Sequence, residues 1–196
     1  MTVPAVILAG GLSRRMGGGD KGLRLLAGRP LIAHVAGRLT DCAPLAINAN
    51  GDPARFAALG LPVIADGIAG HPGPLAGILA AMDWAAGLGA AQVLTAPSDT
   101  PFLPHALLSR LLTPGQAVFA TGPEGQEHPT IGLWPVAAAA NLRAALKGGI
   151  RRVRDWTVAV GAVPVAFADE AAFFNVNMPE DLVRAEGMLA DDGRAD

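Results

Sequence analysis

The chain has no tyrosine and a single cysteine, Cys42. One cysteine excludes an intramolecular disulfide, and it excludes a zinc site built on several thiolates. Lysine is almost missing as well, with only Lys21 and Lys147 present. Charged residues make up 16% of the 196 residues against 51% hydrophobic. That balance argues against disorder and for a well-buried domain. No apolar run is long enough to span a bilayer. The apolar stretch 1–8 is uncharged and runs straight into glycine, without the pattern of a signal peptide. A cytoplasmic protein with no membrane partner is therefore expected. The formal net charge of −2 provides no overall field to attract nucleic acid.

What charge there is lies unevenly. Arg14, Arg15, Lys21, Arg24 and Arg29 all fall near the N-terminus of a mildly acidic chain. Such a cluster suits a small anionic ligand better than a long polyanion. The length points to one domain, here expected over 1–190, with a flexible acidic tail at 191–196.

Short β-branched runs alternate with helical spacings. Strands are predicted at 3–9, 45–48, 62–65, 92–96, 117–120, 130–134 and 163–167. Helices are predicted at 30–39, 53–59, 75–86, 104–112, 136–146 and 179–189, with a short helix or turn at 151–156. This alternation predicts an α/β domain whose mostly parallel, Rossmann-like sheet is covered on both faces. Ligands of such sheets bind beyond the carboxyl ends of the strands. The polar and glycine-rich segments follow strands: 10–22, 48–50, 66–74 and 99–100.

Segment 10–22 combines six glycines with Arg14, Arg15 and Lys21. Glycines let backbone N–H groups close on a phosphate, and the cations add charge; the plain alternative is a surface loop. Residues 17–22 satisfy G-x-G-x-x-G, but too far from the strand for a dinucleotide fingerprint. Lys21 precedes Gly22 instead of Ser or Thr, so a Walker A loop is excluded. Asp99, after the strand at 92–96, is well placed to hold Mg²⁺, or else Asp99-Thr100-Pro101 caps a turn. Asp66, with the loop leading to Gly77, reads as a base-contacting loop or as a turn entering a helix. Asn48-Ala49-Asn50 and Asn175-Val176-Asn177 offer donors and acceptors for bases or pterin edges, and asparagine also serves turns. His128-Pro129-Thr130 is less informative, and the four histidines show no metal-ligand spacing.

Taken in order and spacing, these segments resemble the molybdenum cofactor guanylyltransferases, up to about residue 189. The carriers are Leu-Ala-Gly-Gly at 8–11, Arg-Arg-Met-Gly-Gly-Gly-Asp-Lys-Gly at 14–22 and Asn-Ala-Asn at 48–50. Pro-Gly-Pro-Leu-Ala-Gly at 72–77, Asp-Thr-Pro-Phe-Leu-Pro at 99–104, His-Pro-Thr at 128–130 and Asn-Val-Asn at 175–177 complete the set. The resemblance implies a three-layer α/β/α nucleotidyltransferase domain. It implies GTP contacts at Leu8, Ala9, Gly10, Lys21, Asn48, Asp66 and Asp99, and Mg²⁺ on Asp99. Arg15 and 17–19 would lie in the phosphate loop, with Lys21, Asp99 and Arg15 as the catalytic set. Asn175 and Asn177 would face molybdopterin. The implied reaction transfers GMP from GTP to the phosphate of molybdopterin or Mo-molybdopterin, releasing pyrophosphate. Recipient molybdoenzyme apoproteins and other cofactor-biosynthesis proteins are the implied partners. The rivals are cytidylyltransferases acting on the same cofactor, which tend to begin Leu-Ala-Ala-Gly, and sugar-phosphate nucleotidyltransferases. A non-catalytic GTP-binding adaptor is the alternative of another class.

Overall fold

A computed structural model describes residues 2–10, 20–68 and 73–192, with only the backbone of 191 and 192. Arg15 and the 17–19 segment, His71 and Pro72, and the tail beyond 192 lie outside the described residues.

Among the described residues the central sheet has seven strands. These are β1 (Ala5–Leu8), β4 (Leu45–Asn48), β5 (Val63–Ile64), β6 (Gln92–Pro97), β7 (Val118–Thr121), β8 (Glu127–Pro135) and β9 (Val163–Ala166). Their order is β5-β4-β1-β6-β8-β7-β9. Only β8 runs against the rest, pairing antiparallel with both β6 and β7. The parallel expectation therefore holds for six strands of seven. The predicted strand at 130–134 is longer than expected, and its register against β7 shifts between Phe119 and Ala120. Pro129 falls in that irregular stretch, where a missing N–H costs the ladder least.

Both faces of the sheet are buried, which explains the unbroken apolar run of β1. Ala5 and Ile7 point into one core and Val6 and Leu8 into the other. The first core receives α1 (Leu31–Arg38) and α3 (Leu107–Leu111) through Ile32, Val35, Leu107 and Leu111. The second receives α2 (Pro74–Gly87), α4 (Ala139–Lys147) and α5 (Val153–Val160). This is the three-layer α/β/α arrangement. Trp134 and Trp156 meet in the second core with ring centroids 5.1 Å apart. Their indole N–H groups donate to Thr95 Oγ1 at 2.7 Å and Asn141 Oδ1 at 2.9 Å, so neither is buried unpaired.

Several elements differ from expectation. The segment Pro53–Leu59 is a 3₁₀ helix, started by Asp52 accepting from Ala54 N. The turn at 151 opens into the two-turn α5. The predicted helix at 104–112 contracts to α3, and the one at 136–146 begins as a 3₁₀ turn, Val136–Ala138. A small hairpin, β2 (Leu25–Leu26) with β3 (Arg29–Pro30), was not expected. Its turn places Ala27 at φ 48 and Gly28 at φ 76. Ala-Gly is not the Asn-Gly signature of such turns, so the sequence hides it. The closing helix α6 (Pro179–Asp192) packs on this hairpin, with Leu26, Phe102, Val176 and Ala185 as a third small core. It extends to Asp192, into the expected 191–196 tail. Among the described residues no helix is long and apolar enough to cross a membrane.

Candidate active site

Strands β1, β4, β5 and β6 end on one edge of the sheet, and a cavity of about 410 Å³ opens there. Leu8, Ala9 and Gly10 line it from the end of β1, and Asn48 and Asn50 from the end of β4. Asp66 enters after β5, and Ser98 and Asp99 after β6. Because β8 runs the opposite way, its beginning arrives at the same edge and adds Thr130. Every predicted nucleotide contact therefore borders one cavity.

Local packing explains several motif residues. Ala9 N donates to Asn48 O at 2.8 Å and Ser98 N to Leu8 O at 3.0 Å, which pins the exit of β1 between its neighbours. A Cβ at Gly10 would meet nothing within 4 Å, so the glycine keeps the cavity open beside the backbone. A Cβ at Gly22 would lie 2.9 Å from the Ser98 side chain; Lys21-Gly22 thus packs directly on the segment after β6. A Cβ at Gly77 would lie 2.3 Å from Asn48 Oδ1, so the last glycine of 72–77 lets α2 lie against that asparagine. Gly73, at φ 143, makes the turn into α2, which begins on Pro74.

The predicted site residues gather in two polar groups around the cavity. On the β4–β5 side, Asp66 Oδ1 accepts from Asn48 Nδ2 at 3.0 Å and Asp66 Oδ2 from Asn50 Nδ2 at 2.7 Å. Asn50 Oδ1 in turn accepts from Asp66 N at 2.9 Å. The carboxylate is held at both oxygens. On the β6 side, Lys21 Nζ lies 2.5 Å from Asp99 Oδ2 and also donates to Asn177 Oδ1. Thr100 Oγ1 donates to Asn175 Oδ1 at 2.7 Å, and Val176 N donates to Asp99 O at 2.9 Å. Asp181 accepts from the backbone of Asn177 and Met178, a cap that fixes the entry to α6. Asn175 and Asn177 thus lie outside the cavity lining but are bonded to Thr100 and Lys21 respectively.

Asp20, Asn50, Arg55 and Thr130 also line the cavity and were not among the predicted contacts. Asp20, Asn50 and Thr130 sit inside the quoted motifs, whereas no sequence signal marks Arg55. His128 stacks on Phe173 with centroids 4.5 Å apart and meets Glu170 Oε1 at 3.1 Å. It braces the segment leading to Asn175 and does not line the cavity. Among the described residues no cluster of three or more His, Cys, Asp or Glu could hold a metal. A single carboxylate beside a phosphate site still suits Mg²⁺, which keeps waters and takes phosphate oxygens as ligands. The exposed side of Asp99 fits that donor set, with 19% of its side chain accessible.

Comparison with known proteins places this architecture. Residues 5–161 match the family described as MobA-like NTP transferase domain. Fold and cleft define a nucleotidyltransferase. The chain is 51% identical to a molybdenum cofactor guanylyltransferase of Cereibacter sphaeroides, over 98% of this chain and 100% of that one. It is 49% identical to one of Rhodopseudomonas palustris (strain BisB5), over 97% and 96%. A crystal structure of molybdopterin-guanine dinucleotide biosynthesis protein A from Archaeoglobus fulgidus superposes with a TM-score of 0.77. That pair is 25% identical and covers 96% of this chain and 100% of the other. The chain belongs to the molybdenum cofactor guanylyltransferase family.

Proposed function

We propose that the protein transfers GMP from GTP to the phosphate of molybdopterin, with or without molybdate, and that Asp99 holds the required Mg²⁺. One observation carries this reading: a single cavity joins the Asn48–Asp66 pair on one side of β1 to the Lys21–Asp99 pair on the other. The first pair offers fixed acceptor oxygens to the N–H or O–H donors of a nucleoside. The second offers the Lys21 ammonium to phosphate oxygens and the Asp99 carboxylate to a metal ion.

The terminal phosphate oxygen of molybdopterin attacks the α-phosphorus of GTP. A new P–O bond forms as the bond to the bridging oxygen breaks, and pyrophosphate leaves with that electron pair. The nucleophile is already ionised at neutral pH, so no side chain need remove a proton. The barrier is repulsion between anions and charge building on the leaving group, which fixed cations relieve. Lys21 sits beside Asp99 and turns to the phosphates. Arg15, outside the described residues, would add a second cation if it acts as the family resemblance implies. When bound at Asp99, Mg²⁺ supplies charge neutralisation at phosphate oxygens. Asn177 holds Lys21 on the side from which the molybdopterin phosphate enters, and Asn175 is fixed next to it by Thr100.

Incubation with GTP, Mg²⁺ and molybdopterin, followed by mass analysis, tests the proposal. The expected product is molybdopterin plus one GMP, with one pyrophosphate released per product. A thermal-shift screen of GTP, CTP, UTP and ATP with Mg²⁺ should single out GTP, since the tightest ligand raises the melting temperature most. Preferential stabilisation by CTP or UTP would move the protein to a rival substrate class. Binding of GTP without pyrophosphate release would mark an adaptor.

A further inference from the structure

We propose that Arg55 is a positioning residue of this cleft, which neutralises Asp20 and ties the end of the phosphate loop to the nucleoside side. The inference rests on reading the cleft as the GTP site. Its basis is the set of charges around the cavity. Among the described lining residues three carboxylates, Asp20, Asp66 and Asp99, stand against two cations, Lys21 and Arg55. Asp99 is answered by Lys21, and Asp66 by the amides of Asn48 and Asn50. Asp20 is answered by Arg55, whose Nε is in ion-pair contact with Asp20 Oδ2 without the alignment of a hydrogen bond. Only 15% of the Asp20 side chain is accessible, so water screens it little. Left alone next to Lys21, that carboxylate would repel a triphosphate.

The guanidinium is held in place from its other side. Nη2 donates to Asn50 O at 2.6 Å and Nη1 to Asp52 O. The group also lies 4.7 Å from the ring centroid of the buried Phe56. A planar fork fixed by carbonyls and an aromatic face suits such an ion pair. Arg55 therefore bridges two segments: 48–50, which carries the asparagines on Asp66, and Asp20, the neighbour of Lys21.

The test compares wild type with Arg55→Ala, Asp20→Asn, the double variant and Arg55→Lys. Equilibrium binding of GTP with Mg²⁺ is measured by calorimetry, and KM and kcat in parallel. Arg55→Ala should weaken GTP binding by about 10- to 100-fold, the usual loss for an unpaired charge-assisted contact, and should act on KM more than on kcat. Adding Asp20→Asn should restore binding to within about fivefold of wild type, because the unanswered carboxylate is gone. Arg55→Lys, which keeps the charge, should bind better than Arg55→Ala. A double variant as weak as Arg55→Ala, or a lysine variant no better than alanine, would show that Arg55 only braces the 3₁₀ helix and would overturn the inference. If wild type itself takes up no GTP, the reading of the cleft fails first, and the two failures are thereby distinguished.

Discussion

Lys21 Nζ lies 2.5 Å from Asp99 Oδ2, although 78 positions separate the two in the chain. The pair is largely enclosed, with 14% and 19% of the side chains accessible. Each is the other's counterion in this structure; in the reaction proposed above the ammonium would meet phosphates and the carboxylate a metal.

Lys21→Ala should lower turnover by about 10²–10³, the usual cost of removing one group that stabilises transition-state charge. The circular dichroism spectrum should stay that of wild type, since Gly22 and not the lysine side chain packs on Ser98. Wild-type turnover by this variant would remove Lys21 from the mechanism.

Asp99→Asn should abolish activity that Mg²⁺ restores after chelation, while the melting temperature moves little. The amide keeps the shape, and the bond from Val176 N that ties the 175–177 segment here uses the Asp99 carbonyl, not its side chain. If this variant, or Asp99→Ala, unfolds the protein, the carboxylate is a structural cap instead.

Gly77→Ala should raise the KM for GTP and destabilise the fold by about 1–3 kcal/mol through overpacking. The added methyl would land on Asn48 Oδ1 and push that amide away from Asp66. Gly87→Ala on the same helix is the control. A Cβ there meets nothing within 4 Å, so stability should hold or rise. Denaturant unfolding of both variants, with GTP kinetics, separates the two cases.

Cys42 should resist alkylation at neutral pH in the folded protein. Burial, with Asp41 adding to it, pushes its thiol from 9.0 up to about 12. The folded chain then keeps a proton that the unfolded chain releases above its own pKa. Any stability linked to Cys42 is therefore complete below about pH 9 and is lost as pH rises toward 12. Iodoacetamide labelling with and without denaturant, and unfolding curves across that alkaline range, check both statements. Rapid labelling of native protein near pH 7 would contradict them.

Much of the site could be read from the chain because each part follows a strand. Leu8, Asn48 and Asp99 stand at or just past strands recognisable by their apolar runs, and the parallel order of β4, β1 and β6 carries them to one edge. Arg55 escaped notice because one arginine on a short helical segment looks like any solvated charge until Asp20 appears opposite. The hairpin at 25–30 escaped because Ala27 adopts a left-handed conformation that alanine seldom takes. The full length of β8 was missed because Glu127, His128 and Pro129 are poor strand formers, tolerated next to an irregular register.

The chain alone determined the layered α/β design, since runs buried on both faces need helices on both sides, and it determined which chemical groups gather at the strand ends. Only the tertiary structure decided how those groups pair. Lys21 reaches Asn177 across 156 positions, and Arg55 meets Asp20 at the cavity wall. Such pairings depend on the order in which the strands lie in the sheet. Side-chain charges act over a few ångströms of space, and the spacing of residues along a chain does not specify those distances.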